Sequence, residues 1–184
     1  MNNQRLNIIN GNRGERFPRL MDELRTQGIE DYMLWDGIYL PSIKQSINRS
    51  HKQIVEYARL AEWDDVCIAE DDIKFSHPNS YRYFLEKKPK YFDIYLSMVF
   101  LGYPDENGCV KDFTGLTMYI VKRRFYDTFL SVTDDEHLDK GLAGLGKYIV
   151  CDPFVASQYN GISSNTGKME VYDDLLANRE FYRG

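Results

Sequence analysis

A short apolar run that ends in three consecutive carboxylates constrains the fold of this chain more than any other feature. Residues 66–69 form an apolar run of strand length, and Glu70, Asp71 and Asp72 follow it directly. Apolar residues resume after the acids, beginning with Ile73. Short β-branched runs bounded by polar residues are typical of buried strands in parallel sheets. The pattern therefore predicts a buried strand whose carboxyl end carries three acids.

Three adjacent carboxylates at a strand end repel one another, and the repulsion raises their pKa values unless a cation neutralises them. Ligands of open α/β sheets collect at the carboxyl ends of the strands. A hard divalent ion, Mn²⁺ or Mg²⁺, prefers oxygen ligands and leaves coordination positions for phosphate. The sequence thus favours a metal site at Glu70, Asp71 and Asp72. An acidic surface turn that needs only solvent is the alternative interpretation.

The composition is that of an ordinary globular domain. With 184 residues, 43% of them hydrophobic and 28% charged, the chain is predicted to form one domain over residues 1–184. A net charge of −5 argues against general nucleic-acid binding, which relies on a basic surface. No apolar run approaches the ~20 residues of a membrane span, and the amino terminus lacks the apolar core of a signal peptide. We expect a cytoplasmic location, with at most peripheral contact with the inner face of the membrane.

Short apolar runs alternate with helical patterns along the chain, which predicts an α/β fold with a mixed, mostly parallel sheet flanked by helices. The predicted strands cover 6–9, 32–35, 66–69, 92–96, 117–121 and 148–150, with 98–101 continuing the fourth or pairing beside it. The predicted helices cover 17–28, 41–61, 81–87 and 124–130, and one more begins at 133–136. Residues 158–184 are polar at first and predict either a phosphate-covering loop or a flexible tail.

The loop after the first predicted strand carries groups that suit a nucleotide. Asn10 ends that strand, and Arg13 and Arg16 follow it, where each can hold a phosphate or a base edge. Solvation of a loop and a helix start explains the two arginines equally well. His51 lies in the middle of the longest predicted helix, where a hydrogen-bonded structural histidine is the simpler interpretation. Loop motifs for ATP, for dinucleotides and for a nucleophilic serine are missing, so phosphoryl transfer from ATP and hydride transfer are poorly supported.

Together these segments resemble glycosyltransferase family 25, the lipooligosaccharide-biosynthesis type, whose members have a GT-A fold. The more specific matches are Ser50-His51 and the run Ile68-Ala69-Glu70-Asp71-Asp72. The weaker matches are Ile9-Asn10 with Arg13 and Arg16, Gly115, Tyr119-Ile120-Val121, Asp139, Pro153, Gln158 and Ser164. The chain departs from the family in its shortness, in an abbreviated segment between residues 69 and 117, and in Gly11, where the family usually has leucine.

The resemblance implies a metal-dependent, inverting hexosyltransferase of bacterial lipopolysaccharide synthesis. Its donor would be a nucleotide sugar, in the first instance a UDP sugar, and its acceptor a glycan or lipid-linked hydroxyl. Asp72 would hold Mn²⁺ or Mg²⁺, with Asp71 or Glu70 in support. The donor-contacting residues implied are Asn10, Arg13, Arg16, Ser50, His51, Glu70 and Asp71. Inversion needs a base opposite the leaving group, for which Asp139 is the candidate, with Asp134 and Asp135 behind it.

Three alternatives stay open on the sequence alone. A metal-dependent nucleotidyltransferase would share the acid cluster and the nucleotide loop. A non-catalytic domain with the same fold would bind a sugar nucleotide or a partner protein without reaction. A modified DNA base is a further possible acceptor, although the acidic charge balance counts against it.

Overall fold

A seven-stranded sheet forms the centre of the molecule. The computed structural model describes residues 4–11, 14–163 and 167–184, so Arg13 and Ser164 lie outside the described residues. The strands are β1 (Leu6–Asn10), β2 (Tyr32–Asp36), β3 (Asp65–Glu70), β4 (Ile73–Phe75), β5 (Ile94–Leu96), β6 (Cys109–Val110), β7 (Met118–Lys122), β8 (Tyr148–Val150), β9 (Ala156–Gln158), β10 (Gly161–Ile162) and β11 (Met169–Glu170). The helices are α1 (Phe17–Gln27), α2 (Ile43–Leu60), α3 (Ser80–Glu86), α4 (Tyr126–Ser131), α5 (Leu138–Leu142) and α6 (Tyr172–Leu175).

The order of strands in the main sheet is β2-β1-β3-β7-β5-β8-β6. Strand β1 runs parallel to β2 and β3, and β5 runs parallel to β8. Strand β7 runs antiparallel to β3 and β5, and β6 runs antiparallel to β8. The prediction of an α/β domain with a mixed sheet flanked by helices is confirmed. Among the described residues of this main sheet, three pairings are parallel and three are antiparallel, because β7 runs in the reverse direction between β3 and β5 and β6 runs in the reverse direction beside β8.

The core lies on both faces of this sheet. Successive side chains of a strand point to opposite faces, and those of β3 divide accordingly. Val66 and Ile68 join a cluster that also holds residues of α2 and α4, whereas Cys67 and Ala69 join a cluster with residues of α1 and α3. All four side chains are buried. Burial on both faces explains why this strand is a continuous apolar run in the sequence.

Two predicted elements differ from those observed. The helix expected to begin at 133–136 begins at Leu138, and residues 133–136 lie in a turn. Side chains of α2 hold this turn, since Asn48 Nδ2 donates to the carbonyl of Glu136 at 2.7 Å and Lys52 Nζ pairs with Asp134 Oδ1 at 2.6 Å. The strand expected at 98–101 is reduced to one bridge between Leu101 and Thr114. Tertiary contacts with α2 therefore override the local helix preference at 133–136.

The described residues beyond Gln158 contain regular structure. Strand β10 pairs antiparallel with β11, and helix α6 follows them. Near the carboxyl terminus, Tyr182 N donates to the carbonyl of Phe154 at 2.8 Å, and the Tyr182 ring stacks on Tyr83 with centroids 4.3 Å apart. These contacts fasten the carboxyl-terminal residues to the body of the domain. In the described part of the chain, no helix combines the length and the apolar character needed to cross a membrane.

Candidate active site

A cavity of about 540 Å³ opens where the parallel strands β1, β2 and β3 end. Gly11 follows β1, Gly37 follows β2, and Glu70 ends β3, and all three line the cavity. The carboxyl ends of adjacent parallel strands meet at one edge of a sheet, which is where ligands of open α/β folds bind. Residues of α2, α5 and α6 and of the segment 114–116 complete the walls.

Asp71 ties the end of β3 to the loop after β1. Gly11 N donates to Asp71 Oδ2 at 2.6 Å, and Arg16 Nη1 donates to Asp71 Oδ1 at 2.7 Å. A Cβ on residue 11 would lie 3.2 Å from Asp71 Oδ2, so glycine permits this close approach where the resembled family has leucine. Both carboxylate oxygens of Asp71 thus have protein partners, and the residue links two loops.

Arg16 contacts Asp72 as well. Its Nη1 atom lies 2.9 Å from Asp72 Oδ2, so a single guanidinium nitrogen bridges two neighbouring carboxylates. The other oxygen, Asp72 Oδ1, is buried and has no hydrogen-bond partner in the part of the chain that the structure describes. Burial raises the pKa of Asp72 to about 7, with a further contribution from the charge of Glu70. The mutual repulsion expected from the sequence is therefore present, and it adds to the larger effect of burial.

Glu70 is held from two sides. His51 Nε2 lies 3.3 Å from Glu70 Oε1, and Gln158 Nε2 donates to Glu70 Oε2. The other ring nitrogen, His51 Nδ1, lies 2.8 Å from the hydroxyl of Tyr119. If that hydroxyl donates to Nδ1, then Nε2 carries the proton and donates to Glu70. His51 is thus a buried histidine with partners on both nitrogens, and one of these partners is a carboxylate of the cavity.

Asp72 alone among the three acids suits a divalent ion, and the three acids do not form a preformed set of metal ligands. Among the described residues, no group of three or more His, Cys, Asp or Glu side chains converges as metal ligands do. Glu70 and Asp71 have protein partners on both oxygens, whereas Asp72 Oδ1 has none among the described residues. Mg²⁺ is commonly bound by one or two carboxylates together with substrate phosphates and water. A metal held by Asp72 and completed by the ligand matches this donor set.

Asp139 lies on another wall of the same cavity. Its Oδ2 accepts a hydrogen bond from Gly115 N at 3.2 Å, and its Oδ1 accepts one from Lys140 N at 2.9 Å. Gly115 has a φ of +108°, a backbone conformation that favours glycine. Two backbone amides from different segments therefore fix the orientation of the carboxylate at the cavity wall.

The other two acids considered for the base lie elsewhere. Asp134 pairs with Arg49 at 2.5 Å and with Lys52 at 2.6 Å, and Asp135 accepts from Gln45 Nε2 at 3.2 Å. Neither Asp134 nor Asp135 lines the cavity in the part of the chain described. Their carboxylates hold the turn before α5 against α2.

Ser50 and Asn10, which were predicted to contact the donor substrate, form hydrogen bonds that fix the loops beside the cavity. Ser50 Oγ accepts from Ile38 N at 2.8 Å and donates to the carbonyl of Ser46 at 2.7 Å, which fixes the segment between β2 and α2. The carbonyl of Asn10 accepts from Gly37 N at 2.9 Å and joins the loops after β1 and β2. Ser50 also lines the cavity.

Two aromatic residues of the cavity were not predicted. Tyr39 is 69% exposed and donates its hydroxyl to the carbonyl of Gly11 at 2.6 Å. Tyr172 stacks on Phe100 with centroids 4.9 Å apart, and burial, together with the charges of Asp72 and Glu70, raises its pKa to about 12. The parallel pairing of β1 and β2 would have indicated Tyr39, because the loops after such strands are neighbours. No pattern in the sequence indicates Tyr172.

The fold is similar to known structures, although no protein-family model and no curated protein matches the sequence. A197 from STIV matches with a TM-score of 0.56 and 15% identity, covering 92% of this chain and 94% of that chain. HddC from Yersinia pseudotuberculosis matches with a TM-score of 0.53 and 13% identity over 80% of this chain and 89% of that chain. Its complex with GMP-PN matches over the same shares with a TM-score of 0.51 and 14% identity.

A weaker match is a glycosyltransferase involved in the glycosylation of the major capsid of PBCV-1. It covers 82% of each chain at 11% identity, with a TM-score of 0.49. The stronger matches establish a GT-A-like α/β fold, and at such low identity they establish the fold alone.

Proposed function

We propose that this protein is a glycosyltransferase that uses a nucleotide-sugar donor and a divalent metal, as its resemblance to glycosyltransferase family 25 implies. The observation that supports it most strongly is Asp72 Oδ1, a buried carboxylate oxygen without a described partner, in a cavity at the carboxyl ends of parallel strands. In a GT-A-like fold this edge of the sheet suits a nucleotide. HddC, a relative in fold only, has been solved with GMP-PN.

The leaving-group end of the reaction would lie at Arg16 and Asp72. A nucleotide sugar releases a diphosphate, and its negative charge must be stabilised as the glycosidic bond breaks. A guanidinium matches phosphate oxygens with two parallel hydrogen bonds, and Arg16 sits on the loop after β1 with its head group at the cavity. Asp72 Oδ1 is the atom that would hold Mn²⁺ or Mg²⁺, and the bound ion would act as a Lewis acid toward the diphosphate.

The acceptor end would lie at Asp139. Inversion requires a base that takes the proton of the acceptor hydroxyl on the side opposite the leaving group. Each carboxylate oxygen can accept more than one hydrogen bond. Asp139 can therefore accept a further hydrogen bond from the acceptor hydroxyl in addition to those from Gly115 and Lys140. We expect the acceptor to be a glycan or lipid-linked hydroxyl of a bacterial surface polysaccharide.

A nucleotidyltransferase is the second candidate, because the same loop arginine and strand-end acid would suit a nucleoside triphosphate. The two reactions differ at Asp139. A sugar phosphate attacks as an anion that is already formed and needs no base, whereas an acceptor hydroxyl must lose a proton. Loss of the Asp139 carboxylate should therefore slow a glycosyltransferase and leave a nucleotidyltransferase nearly unchanged.

A thermal-shift panel of UDP sugars and nucleoside triphosphates, with and without Mn²⁺, tests the proposal. Ligands that bind only the native state raise its stability. We expect a UDP sugar with Mn²⁺ to raise the Tm of the wild-type protein and of the exposed control Asp22→Asn, but not of Asp72→Asn. A preference for triphosphates would favour the nucleotidyltransferase, and no response to any nucleotide would exclude both. Binding of a UDP sugar without slow Mn²⁺-dependent hydrolysis would indicate a non-catalytic domain.

A further inference from the structure

We propose that Arg16 occupies the cation position of the acidic strand end in the free protein and is exchanged for the metal when the donor binds. In this exchange the metal binds Asp72 through Oδ1, the guanidinium leaves Oδ2 of the same carboxylate, and Arg16 turns to the diphosphate of the donor. The inference rests on the proposed function and adds to it that the metal and the donor bind as a pair.

The contacts of Arg16 support its role as an internal counter-ion. Its Nη1 atom lies 2.7 Å from Asp71 Oδ1 and 2.9 Å from Asp72 Oδ2. The side chains of Arg16, Asp71 and Asp72 are 16%, 5% and 13% exposed, so little water screens the charges. A divalent ion on Asp72 would stand a few ångströms from this guanidinium, and like charges at that distance repel strongly. Arg16 and a metal therefore compete for the same carboxylate.

The two aspartates differ in how firmly they are held, and this difference indicates which contact breaks. Asp71 is fixed by the backbone of Gly11, whose N–H donates to Oδ2 at 2.6 Å, so Asp71 keeps its position without Arg16. Asp72 has one oxygen on Arg16 and one with no described partner. Arg16 can release Asp72 and stay tethered to Asp71, within reach of a ligand in the cavity that all three residues line.

The exchange predicts opposite effects on the two ligands when the guanidinium is removed. Without Arg16, a metal ion meets no competing cation at Asp72 and should bind more tightly in the absence of a nucleotide. The donor loses a phosphate-binding group and should bind more weakly. Removal of a residue that only stabilises the fold would not improve the binding of a metal. Tighter metal binding together with weaker donor binding therefore distinguishes the exchange from a structural role.

Mn²⁺ binding, measured from the electron paramagnetic resonance signal of the free ion, tests the exchange directly. We expect Arg16→Gln to tighten the binding of Mn²⁺ alone by roughly tenfold or more, the consequence of removing a like charge a few ångströms away. With Mn²⁺ present, the same variant should weaken UDP binding by roughly tenfold or more, as loss of hydrogen bonds to a charged group does. Arg16→Lys keeps the charge and should bind Mn²⁺ alone as the wild type does. Arg19→Gln, in the following turn, is the matched control and should change neither affinity.

A crystal structure of the wild-type protein with UDP and Mn²⁺ gives a second test that does not depend on the stability of a variant. The exchange predicts that Arg16 contacts phosphate and no longer contacts Asp72. An Arg16 that stays on Asp72 Oδ2 in that complex, or an Arg16→Gln variant with wild-type affinity for Mn²⁺, would overturn it.

The outcomes also separate this inference from the proposed function. If the wild type binds a UDP sugar with Mn²⁺ but Arg16→Gln does not tighten Mn²⁺ binding, only the exchange fails. If Arg16→Gln tightens Mn²⁺ binding but no UDP sugar binds, the exchange of cations stands and the donor assignment fails. If Mn²⁺ binds to neither protein, even with a UDP sugar present, both fail.

Discussion

His51 Nε2 lies 3.3 Å from Glu70 Oε1, and this contact ties the middle of α2 to the acidic end of β3. The same helix holds the turn before α5 through Asn48 and Lys52. Helix α2 thus supports two regions of the cavity, the carboxylates assigned to the donor and the segment that leads to Asp139. Residues that touch neither substrate can therefore affect the reaction through this helix.

Replacing His51 with alanine should destabilise the fold and lower turnover. The substitution leaves the Tyr119 hydroxyl without its partner in a buried environment and releases one oxygen of Glu70. A buried polar group that loses its partner costs ~1–3 kcal/mol. Urea denaturation should show a loss of this size for His51→Ala, while the exposed Glu56→Ala on the same helix should stay within about 0.5 kcal/mol of the wild type. Equal stabilities would show that the histidine network is dispensable.

Removing the Lys52 ammonium should disturb the approach to Asp139 and spare the donor. Lys52 is buried, and its Nζ donates to the carbonyl of Val132 and pairs with Asp134. We expect Lys52→Met to lose roughly 1–3 kcal/mol of stability and to show reduced turnover with unchanged UDP affinity. The control is Lys44→Met, because Lys44 is on the same helix and donates to the carbonyl of Asp135 from a half-buried position. Weaker UDP binding in Lys52→Met would contradict this role.

The raised pKa of Asp72 predicts a dependence of stability on pH in metal-free buffer. The pKa of its carboxyl is about 7 in the folded protein, against 3.8 for the ordinary group. A pKa raised by folding stabilises the native state fully below the unfolded value and ceases to do so as the pH rises through the folded value. Asp72→Asn removes this dependence, so its stability relative to the wild type should be greater at about pH 8 than at about pH 4, by roughly 1–3 kcal/mol. A difference that does not change with pH would refute the shift.

Asp139→Asn should slow the chemical step without loosening the donor. The amide keeps the size of the side chain but cannot take a proton at neutral pH. A positioned base contributes ~10²–10⁴-fold, so turnover should fall by that factor while UDP-sugar affinity stays near normal. The exposed Asp135→Asn is the matched control and should react like the wild type. Survival of turnover together with a lower Tm would show that Asp139 only holds Gly115 and the start of α5.

The strands around the site could be predicted because their sequence signals are local. The two-sided burial of β3 produces a continuous apolar run, and Gly28, with a φ of +65°, ends α1 where the helical pattern stops. The same apolar run predicts that the three acids lie at the carboxyl end of β3. The turn at 133–136 could not be predicted, because acids near a helix start favour a helix locally, whereas Asn48 and Lys52 hold this segment in another conformation.

The contacts that give each acid its character were also not predictable. The run Glu70, Asp71 and Asp72 does not indicate that the amide of Gly11 and the guanidinium of Arg16 bind Asp71. It also does not indicate that Oδ1 of Asp72 has no described partner. Such differences depend on where the loop after β1 lies relative to the end of β3, which is a property of the folded chain.

Calorimetric titration of UDP into the wild-type protein and Asp72→Asn, each with and without Mn²⁺, tests the central claim most directly. If Asp72 holds the metal that binds the donor diphosphate, Mn²⁺ should strengthen UDP binding by the wild type and should have little effect on Asp72→Asn. Without Mn²⁺ the wild type should bind UDP only weakly. Equal strengthening by Mn²⁺ in the two proteins, or UDP binding that does not depend on the ion in the wild type, would contradict the account.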